Sequence, residues 1–163
     1  MAPISVYKPK RIVKGVFENW VYPGIDILLA TLQTNGFPLY IVTTKPTAFA
    51  RQILDHLSLS RFFRNVYGSE LDGTRADKRG LIAHVLEHEQ IHPRDAFMIG
   101  DREHDMRGAL ANDVRPIGVL WGYGSREELT QAGASALCRT IEHLGEQLFH
   151  SPQTIVGLAR KIE

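Results

Sequence analysis

From Pro23 onward the sequence alternates between strand-like and helix-like stretches. Short apolar runs such as PLYIV and DAFMIG are followed by amphipathic stretches, with no low-complexity segment or visible repeat between them. Strands that lie parallel need a crossover connection, which is usually a helix. Regular alternation of this kind therefore predicts an α/β fold with a mainly parallel sheet and covering helices.

Two predicted helices lie near the two ends of this alternating region. Residues 24–36, GIDILLATLQTNG, carry apolar side chains at helical spacing and end at Gly36, a residue type that often ends helices. Residues 151–163, SPQTIVGLARKIE, are typical of a helix with Ser151 as N-cap and Pro152 at its first position. We accordingly expect a core at residues 23–150, a C-terminal accessory helix at 151–163, and a separate leading segment at 1–22.

Composition indicates the location and the kind of partner. The formal net charge is +1, and the basic residues are spread among the acidic ones, so no nucleic-acid or membrane surface is expected. Cys138 is the only cysteine, which excludes an intramolecular disulfide and fits a reducing compartment. No apolar run approaches the ~20 residues of a membrane helix, and MAPISVYKPKR lacks the apolar stretch of a secretory signal. We expect a cytoplasmic protein that binds a small polar molecule.

Polar residues follow two of the predicted strands, where ligands bind in parallel α/β sheets. Thr43, Thr44 and Lys45 come after PLYIV and precede a helix whose free backbone N–H groups can hold an anion. Asp101 and Asp105 come after AFMIG, about one helical turn apart, where two carboxylates repel one another. A Mg²⁺ ion would remove that conflict, although two acids can also simply cap a helix.

Lys78 opens a predicted helix, where a cation opposes the helix dipole. A bound phosphate would explain its position. The alternative is a solvated lysine whose charge is offset by Asp77 beside it.

These residues together resemble a known family. Thr43 after an apolar strand, Lys78 at a helix start and MIGDREHD after another strand resemble motifs two, three and four of the haloacid dehalogenase-like hydrolase superfamily, in that order. More narrowly, FENWVYPGI, GSELDGTRADK, GDREHDMRGA and IGVLWGYGSREEL resemble its phosphoglycolate phosphatase-like branch. The resemblance runs from about residue 15 to residue 148 and implies a Rossmann-like three-layer sandwich.

The resemblance also implies an activity, Mg²⁺-dependent hydrolysis of a small phosphorylated metabolite, with phosphoglycolate as the nearest named substrate. In such enzymes an aspartate attacks phosphorus, and a second aspartate two residues later acts as general acid and base. By the same resemblance Thr43 and Lys78 would be catalytic and would contact the phosphate together with Thr44. Asp101 and Asp105 would hold Mg²⁺.

The nucleophile of the family comes first in the chain, within Asp-x-Asp-Gly-Thr, and this motif is missing here. Asp72 in ELDGTRADK follows motif two and lies just before Lys78, so it belongs to a loop, in a turn with Gly73. Before Thr43 the only aspartate is Asp26, inside a predicted helix. The resemblance therefore implies an N-terminally truncated core that lacks most of the cap domain, with residues 1–22 as the end of the cap and its linker.

Without the first strand, a slot would open between the strands that end at Thr43 and Asp101, leaving backbone groups unpaired. We expect the slot to be filled by the N-terminal APISVY, by another chain as in a homo-oligomer, or by rearrangement of the flanking strands. We expect little or no phosphatase turnover. The alternative is a catalytically silent phosphatase-like module for binding or oligomerisation.

One further pattern points to another enzyme class. HVLEH matches the H-x-x-E-H signature of some zinc peptidases. The predicted helix leaves His84, Glu87 and His88 on its polar side with no third ligand evident, and a short pattern alone carries little weight.

Overall fold

The computed structural model describes residues 21–69 and 77–150, together with the backbone of residues 154–158. The strands are β1 (Leu39–Pro46), β2 (Asn65–Ser69), β3 (Ala96–Gly100), β4 (Arg115–Val119), β5 (Ala136–Cys138) and β6 (Thr154–Leu158). The helices are α1 (Ile25–Thr34), α2 (Thr47–His56), α3 (Lys78–His88), α4 (Glu103–Leu110), α5 (Arg126–Gln131) and α6 (Ile141–Phe149). Short 3-10 turns lie at Ser60–Phe62 and Pro93–Asp95.

The six strands form one sheet in the order β2-β1-β6-β3-β4-β5. Every neighbouring pair is parallel. The predicted α/β fold with a mainly parallel sheet is confirmed.

The side chains of the central strands alternate between two apolar clusters, as a sheet covered on both faces requires. Leu39 and Ile41 of β1 pack with α1, α2 and α6, whereas Tyr40 and Val42 pack with α3 and α4. Strand β3 alternates in the same way. The sheet is therefore the middle layer of a three-layer sandwich, as expected.

Helix α1 matches its prediction closely. Its apolar stripe is buried against the sheet, and Gly36 just beyond it has φ +81°, a left-handed conformation that favours glycine. Cys138 is fully buried on β5. Strand β5 itself was not predicted, because its three residues are too short to show a periodic pattern.

The C-terminal segment corrects a prediction. Thr154–Leu158 is a strand, where the Ser151 and Pro152 signals predicted a helix. It lies between β1 and β3, with Ile155 paired to both Leu39 and Phe97. The segment is rich in β-branched residues, and the position offers backbone partners on both sides, so tertiary pairing overrides the local helix signals.

The expected slot is therefore filled, but from a source that the sequence did not indicate. The inserted strand is β6 of the same chain, reached from α6 through residues 150–153. The N-terminal APISVY, with the rest of residues 1–20, lies outside the described residues, as does Asp72. None of the described helices is long and apolar enough to span a membrane.

Candidate active site

Lys78 is the first residue of α3, and its side chain is buried. Its Nζ donates to the backbone oxygen of Val42 at 2.8 Å and lies 3.0 Å from Oδ1 of Asp105. Asp77 is the N-cap, and its side chain accepts a hydrogen bond from the Gly80 N–H at 2.9 Å. The alternative of a solvated Lys78 is therefore wrong, since the ammonium group joins the end of β1 to α4.

Gly108 allows α4 to approach Lys78 closely. A Cβ at position 108 would lie 2.9 Å from Cγ of Lys78 and 3.2 Å from its Cβ. Because Gly108 has no side chain, the buried stem of Lys78 can lie along α4 and bring its ammonium group to Asp105.

Asp101 and Asp105 are both buried, one just after β3 and the other in the first turn of α4. The Oδ2 atom of Asp105 accepts from the Arg102 N–H at 3.2 Å, close to the helix N-terminus. Burial raises the pKa of Asp101, the charge of Asp105 raises it further, and a hydrogen bond from the Tyr123 N–H acts in the opposite direction. The expected conflict between two neighbouring carboxylates is present.

One oxygen of this pair lacks a hydrogen-bond donor. Oδ1 of Asp105 is buried and accepts no hydrogen bond, and its contact with Lys78 is an ion pair without hydrogen-bond geometry. Buried polar atoms without a partner are few in native proteins and call for an explanation. A hard cation would satisfy this oxygen, and Mg²⁺ is commonly held by one or two carboxylates with the remaining ligands from waters and phosphate.

The chemistry of these donors would suit Mg²⁺, which Asp101 and Asp105 would hold. Among residues 21–69 and 77–150, no group of three His, Cys, Asp or Glu side chains could hold a metal ion. A Mg²⁺ ion held here would therefore need water or phosphate for its other ligands.

Thr43 and Thr44 lie within β1, which extends further than predicted. Thr43 is half-buried, and its Oγ1 accepts from the Lys45 N–H at 3.2 Å. It directly follows Val42, whose carbonyl oxygen accepts from Lys78. The structure therefore places Thr43 and the Lys78 ammonium group beside the same part of β1. Thr44 is exposed, and its carbonyl accepts from Ser69 Oγ at 3.0 Å.

Asp26, the only aspartate before Thr43, is an exposed residue in the first turn of α1. That helix packs on α6, where Leu28 Cδ1 would lie 3.3 Å from a Cβ at Gly145. Asp26 thus lies on the exposed face of α1.

The residues of the zinc-peptidase pattern lie on α3 beside the second strand. The rings of His84 and His88 each contact the ring of Tyr67, with centroids 5.8 Å apart. The Nδ1 atom of His88 is 2.9 Å from the Tyr67 hydroxyl. The structure assigns both histidines to packing around Tyr67.

The segment WGYGS, residues 121–125, makes contacts with the site that the sequence did not predict. The Tyr123 N–H donates to Oδ2 of Asp101 at 2.7 Å, and the Gly124 N–H donates to the Asp101 carbonyl at 2.9 Å. The two glycines separated by one residue were the available signal, because glycine is common where backbone approaches another group closely.

Comparison with known proteins supports the same family. The family model described as haloacid dehalogenase-like hydrolase matches residues 10–119. A 5'-nucleotidase of Pseudomonas aeruginosa is 42% identical over 89% of this chain and 66% of its own length. Tyrosine-protein kinase PtkA of Mycobacterium tuberculosis is 33% identical over 89% of this chain and 50% of its own. Phosphoglycolate phosphatase 1 of Pseudomonas aeruginosa is 27% identical over 76% and 46%.

Among solved structures, a predicted phosphatase from Clostridium acetobutylicum is 44% identical, with a TM-score of 0.82. That comparison covers 85% of this chain and 64% of the other. The chain thus spans about half to two thirds of the length of the curated relatives it matches. The matched residues include Thr43 on β1, Lys78 on α3, Asp101 just after β3 and Asp105 on α4. The chain belongs to the haloacid dehalogenase-like hydrolase family.

Proposed function

We propose that the described residues form the phosphate- and cation-binding part of a phosphatase that hydrolyses a small phosphate monoester. The observation that carries the proposal is the position of Lys78, whose ammonium group contacts both the Val42 carbonyl, next to Thr43, and Asp105. A buried lysine in the first turn of a helix, beside a carboxylate with an unsatisfied oxygen, suits a site that receives an anion and a cation together.

Each residue has a specific role in this proposal. Thr43 donates its hydroxyl hydrogen to a phosphoryl oxygen, with Thr44 beside it. Lys78 neutralises phosphoryl charge. Asp101 and Asp105 hold Mg²⁺, which when bound offsets further negative charge on the phosphate. Preorganised charge of this kind accounts for most of the catalytic effect in phosphoryl transfer.

We further propose that the 163 residues by themselves have little or no turnover. The family resemblance assigns attack on phosphorus to an aspartate in Asp-x-Asp-Gly-Thr, and no such motif precedes Thr43 in the sequence. The position between β1 and β3 is held by β6, and the residues that follow it, ARKIE, contain no aspartate. Binding without efficient hydrolysis is the expected behaviour.

The relatives support a substrate class without fixing a substrate. They are named 5'-nucleotidase and phosphoglycolate phosphatase, and both names denote enzymes of small phosphate monoesters. We propose the same class for the protein to which these residues belong. The kinase name of a third relative makes phosphotransfer a second activity to assay.

The test combines binding and hydrolysis on the intact 163-residue chain. Inorganic phosphate with Mg²⁺ is titrated by calorimetry, and hydrolysis of p-nitrophenyl phosphate is followed in parallel. The unchanged chain is compared with a Lys78→Ala, Asp101→Ala double variant, and with Arg79→Ala as a control at the exposed neighbour of Lys78. We expect phosphate binding that the double variant loses and Arg79→Ala retains, without turnover in any of them.

Two other outcomes would change the proposal. Turnover that the double variant abolishes would contradict the expected inactivity and indicate an unrecognised carboxylate. A failure of the unchanged chain to bind phosphate would contradict the binding proposal and favour a catalytically silent module for oligomerisation. The presence of β6 supports the binding proposal here, since the central position is filled without a strand from a second copy.

A further inference from the structure

We propose that the Gly122–Gly124 loop is a backbone clamp that fixes Asp101 for cation binding, and that Tyr22 holds this loop from the other side. Gly122, Gly124 and Tyr22 are positioning residues that act through Asp101. The part of this inference that concerns the cation rests on the function proposed above. The clamp itself is a property of the folded chain.

The loop backbone donates two hydrogen bonds to Asp101. The Tyr123 N–H donates to the side-chain Oδ2 at 2.7 Å, and the Gly124 N–H donates to the main-chain oxygen at 2.9 Å. Hydrogen bonds from an N–H group to a carboxylate are among the stronger ones in proteins. Two successive amides thus hold the carboxylate and the backbone of the same residue, which restricts rotation of the Asp101 side chain.

The clamp requires glycine because of close approach. A Cβ at position 122 would lie 2.2 Å from both Cβ and Oδ2 of Asp101, and one at position 124 would lie 2.1 Å from its carbonyl oxygen. Neither glycine is among those with positive φ in the described part of the chain. Any side chain at either position must therefore displace the loop or Asp101.

Tyr22 supports the loop from the start of the described core. Its hydroxyl donates to the Trp121 carbonyl at 2.5 Å, and the two rings pack edge to face with centroids 6.4 Å apart. Trp121 directly precedes Gly122, so this bond fixes the entry to the clamp. The chain just before α1 is thereby connected to a carboxylate that follows β3.

A carboxylate that is held before the cation arrives loses less conformational freedom on binding. Groups that orient a metal ligand in this way typically change metal affinity by about 10- to 100-fold when they are altered. Asp105 has a comparable restraint, because a Cβ at Gly100 would lie 2.3 Å from its own Cβ. The clamp therefore restricts the Asp101 side chain. Close packing on Gly100 and the hydrogen bond from the Arg102 N–H restrict the Asp105 side chain in a similar way.

The first test measures Mn²⁺ binding to the full chain from the electron paramagnetic resonance signal of the free ion. We expect Gly122→Ala to bind Mn²⁺ at least about tenfold more weakly than the unchanged chain. Gly118→Ala on β4 is the matched control, because its Cβ would meet Leu137 Cδ2 at 2.6 Å and creates a steric conflict away from Asp101. Equal Mn²⁺ affinity in the two variants would overturn the proposal.

Tyr22→Phe is the second variant and keeps the ring while removing the donor. We expect it to weaken Mn²⁺ binding by less than Gly122→Ala does, because it removes the hydrogen bond to Trp121 and leaves the two amide hydrogen bonds to Asp101 in place. Unchanged Mn²⁺ affinity in Tyr22→Phe would overturn the role assigned to Tyr22. This variant also serves if Gly122→Ala does not fold.

A second measurement separates the clamp from the proposed function. Amide hydrogen exchange at Tyr123 is compared between the unchanged chain and Asp101→Ala, without metal. We expect slow exchange that becomes at least about tenfold faster when the carboxylate is removed, because the amide loses its acceptor. Equal exchange rates would overturn the clamp. If the unchanged chain binds no Mn²⁺ while Tyr123 is protected, the cation role fails and the clamp stands.

Discussion

Helix α3 carries a charged side chain at each end, and the two ends differ in how completely those charges are paired. At its first residue, Lys78 lies 3.0 Å from Oδ1 of Asp105, an oxygen that accepts no hydrogen bond. Just beyond its last residue, Glu89 accepts from the Tyr40 hydroxyl at 3.0 Å through one oxygen and from the Tyr67 hydroxyl through the other. We call the Lys78 end of α3 incomplete, because one carboxylate oxygen there accepts no hydrogen bond. We call the Glu89 end closed, because both carboxylate oxygens accept one.

The two carboxylates thus differ in the contacts that they make within the fold. Glu89 connects the end of α3 to the first two strands, and neither carboxylate oxygen lacks a donor. The Lys78 end connects β1 to α4, and the buried Oδ1 of Asp105 contacts the Lys78 ammonium group but accepts no hydrogen bond. Since buried polar atoms are almost always satisfied, the incomplete end is the one where a ligand is expected.

The largest expected effect comes from removing the cation at the incomplete end. Lys78→Met leaves Asp105 buried without its partner, so we expect a loss of about 3–5 kcal/mol in the free energy of unfolding. Urea unfolding measures it, with Arg79→Met at the exposed next residue as the control, expected within about 0.5 kcal/mol.

A second variant tests the cause of that loss. Adding Asp105→Asn to Lys78→Met removes the uncompensated charge and should recover much of the stability, as expected when two groups in contact are coupled. A loss below about 1 kcal/mol in Lys78→Met would show that the Lys78–Asp105 pair contributes no more to stability than an ordinary surface ion pair.

At the closed end the expected loss is smaller. Glu89→Ala removes the acceptor of the Tyr40 hydroxyl and leaves the Tyr67 hydroxyl with His88 Nδ1 as a remaining acceptor. We expect a loss of about 1–3 kcal/mol in urea unfolding. Glu87→Ala, at an exposed position in the last turn of α3, is the control and should stay within about 0.5 kcal/mol. Phosphate and Mn²⁺ affinities should be unchanged in both. Weaker ligand binding in Glu89→Ala would show that the two ends are not independent.

Mg²⁺ should stabilise only through the incomplete end. At a free concentration ten times its Kd, a ligand of the folded state adds about 1.4 kcal/mol to stability. Asp101→Asn should abolish the Mg²⁺-dependent shift in the thermal midpoint. Asp95→Asn is the matched control, since Asp95 is exposed and precedes the same strand that Asp101 follows. An equal shift in Asp101→Asn would place the cation elsewhere.

The smallest expected effect is a pH dependence at the closed end. Burial raises the pKa of Glu89, but the hydrogen bonds from Tyr67 and Tyr40 outweigh burial and hold the pKa below its ordinary value of 4.5. A carboxyl with a lowered pKa contributes stability above its unfolded pKa and loses it as the pH falls through the folded value. The stability difference between the unchanged chain and Glu89→Gln should therefore shrink on acidification. Urea unfolding between about pH 7 and pH 3 measures it, and a constant difference would contradict this assignment.

Local patterns predicted the elements whose burial follows a simple period. The spacing of apolar residues predicted α1, and short apolar runs predicted the buried strands β1 and β3. The same kind of reasoning failed for Thr154–Leu158, where Ser151 and Pro152 favoured a helix. Pairing with two strands that lie far away in the sequence decided that segment, and no local signal carries that information.

The candidate site was predicted as a set of residues but not as a set of contacts. Family resemblance indicated Thr43, Lys78, Asp101 and Asp105, and the positions after strands supported them. The roles of these residues in phosphate and cation binding, the domain boundaries and the cytoplasmic location stay predictions. The clamp on Asp101 was missed, because a glycine bend and a close backbone approach look alike in a sequence.

The sequence by itself determined the α/β alternation, the strands that precede the polar residues, and the absence of an Asp-x-Asp motif before Thr43. Only the tertiary structure decided that β6 occupies the central position, that Lys78 reaches both Val42 and Asp105, and that Gly122 and Gly124 lie against Asp101. The physical reason is the separation along the chain between the residues that interact. Periodicity and capping report the surroundings of a residue along the chain, whereas parallel pairing and close approach join residues that are distant in sequence and are fixed only when the core packs.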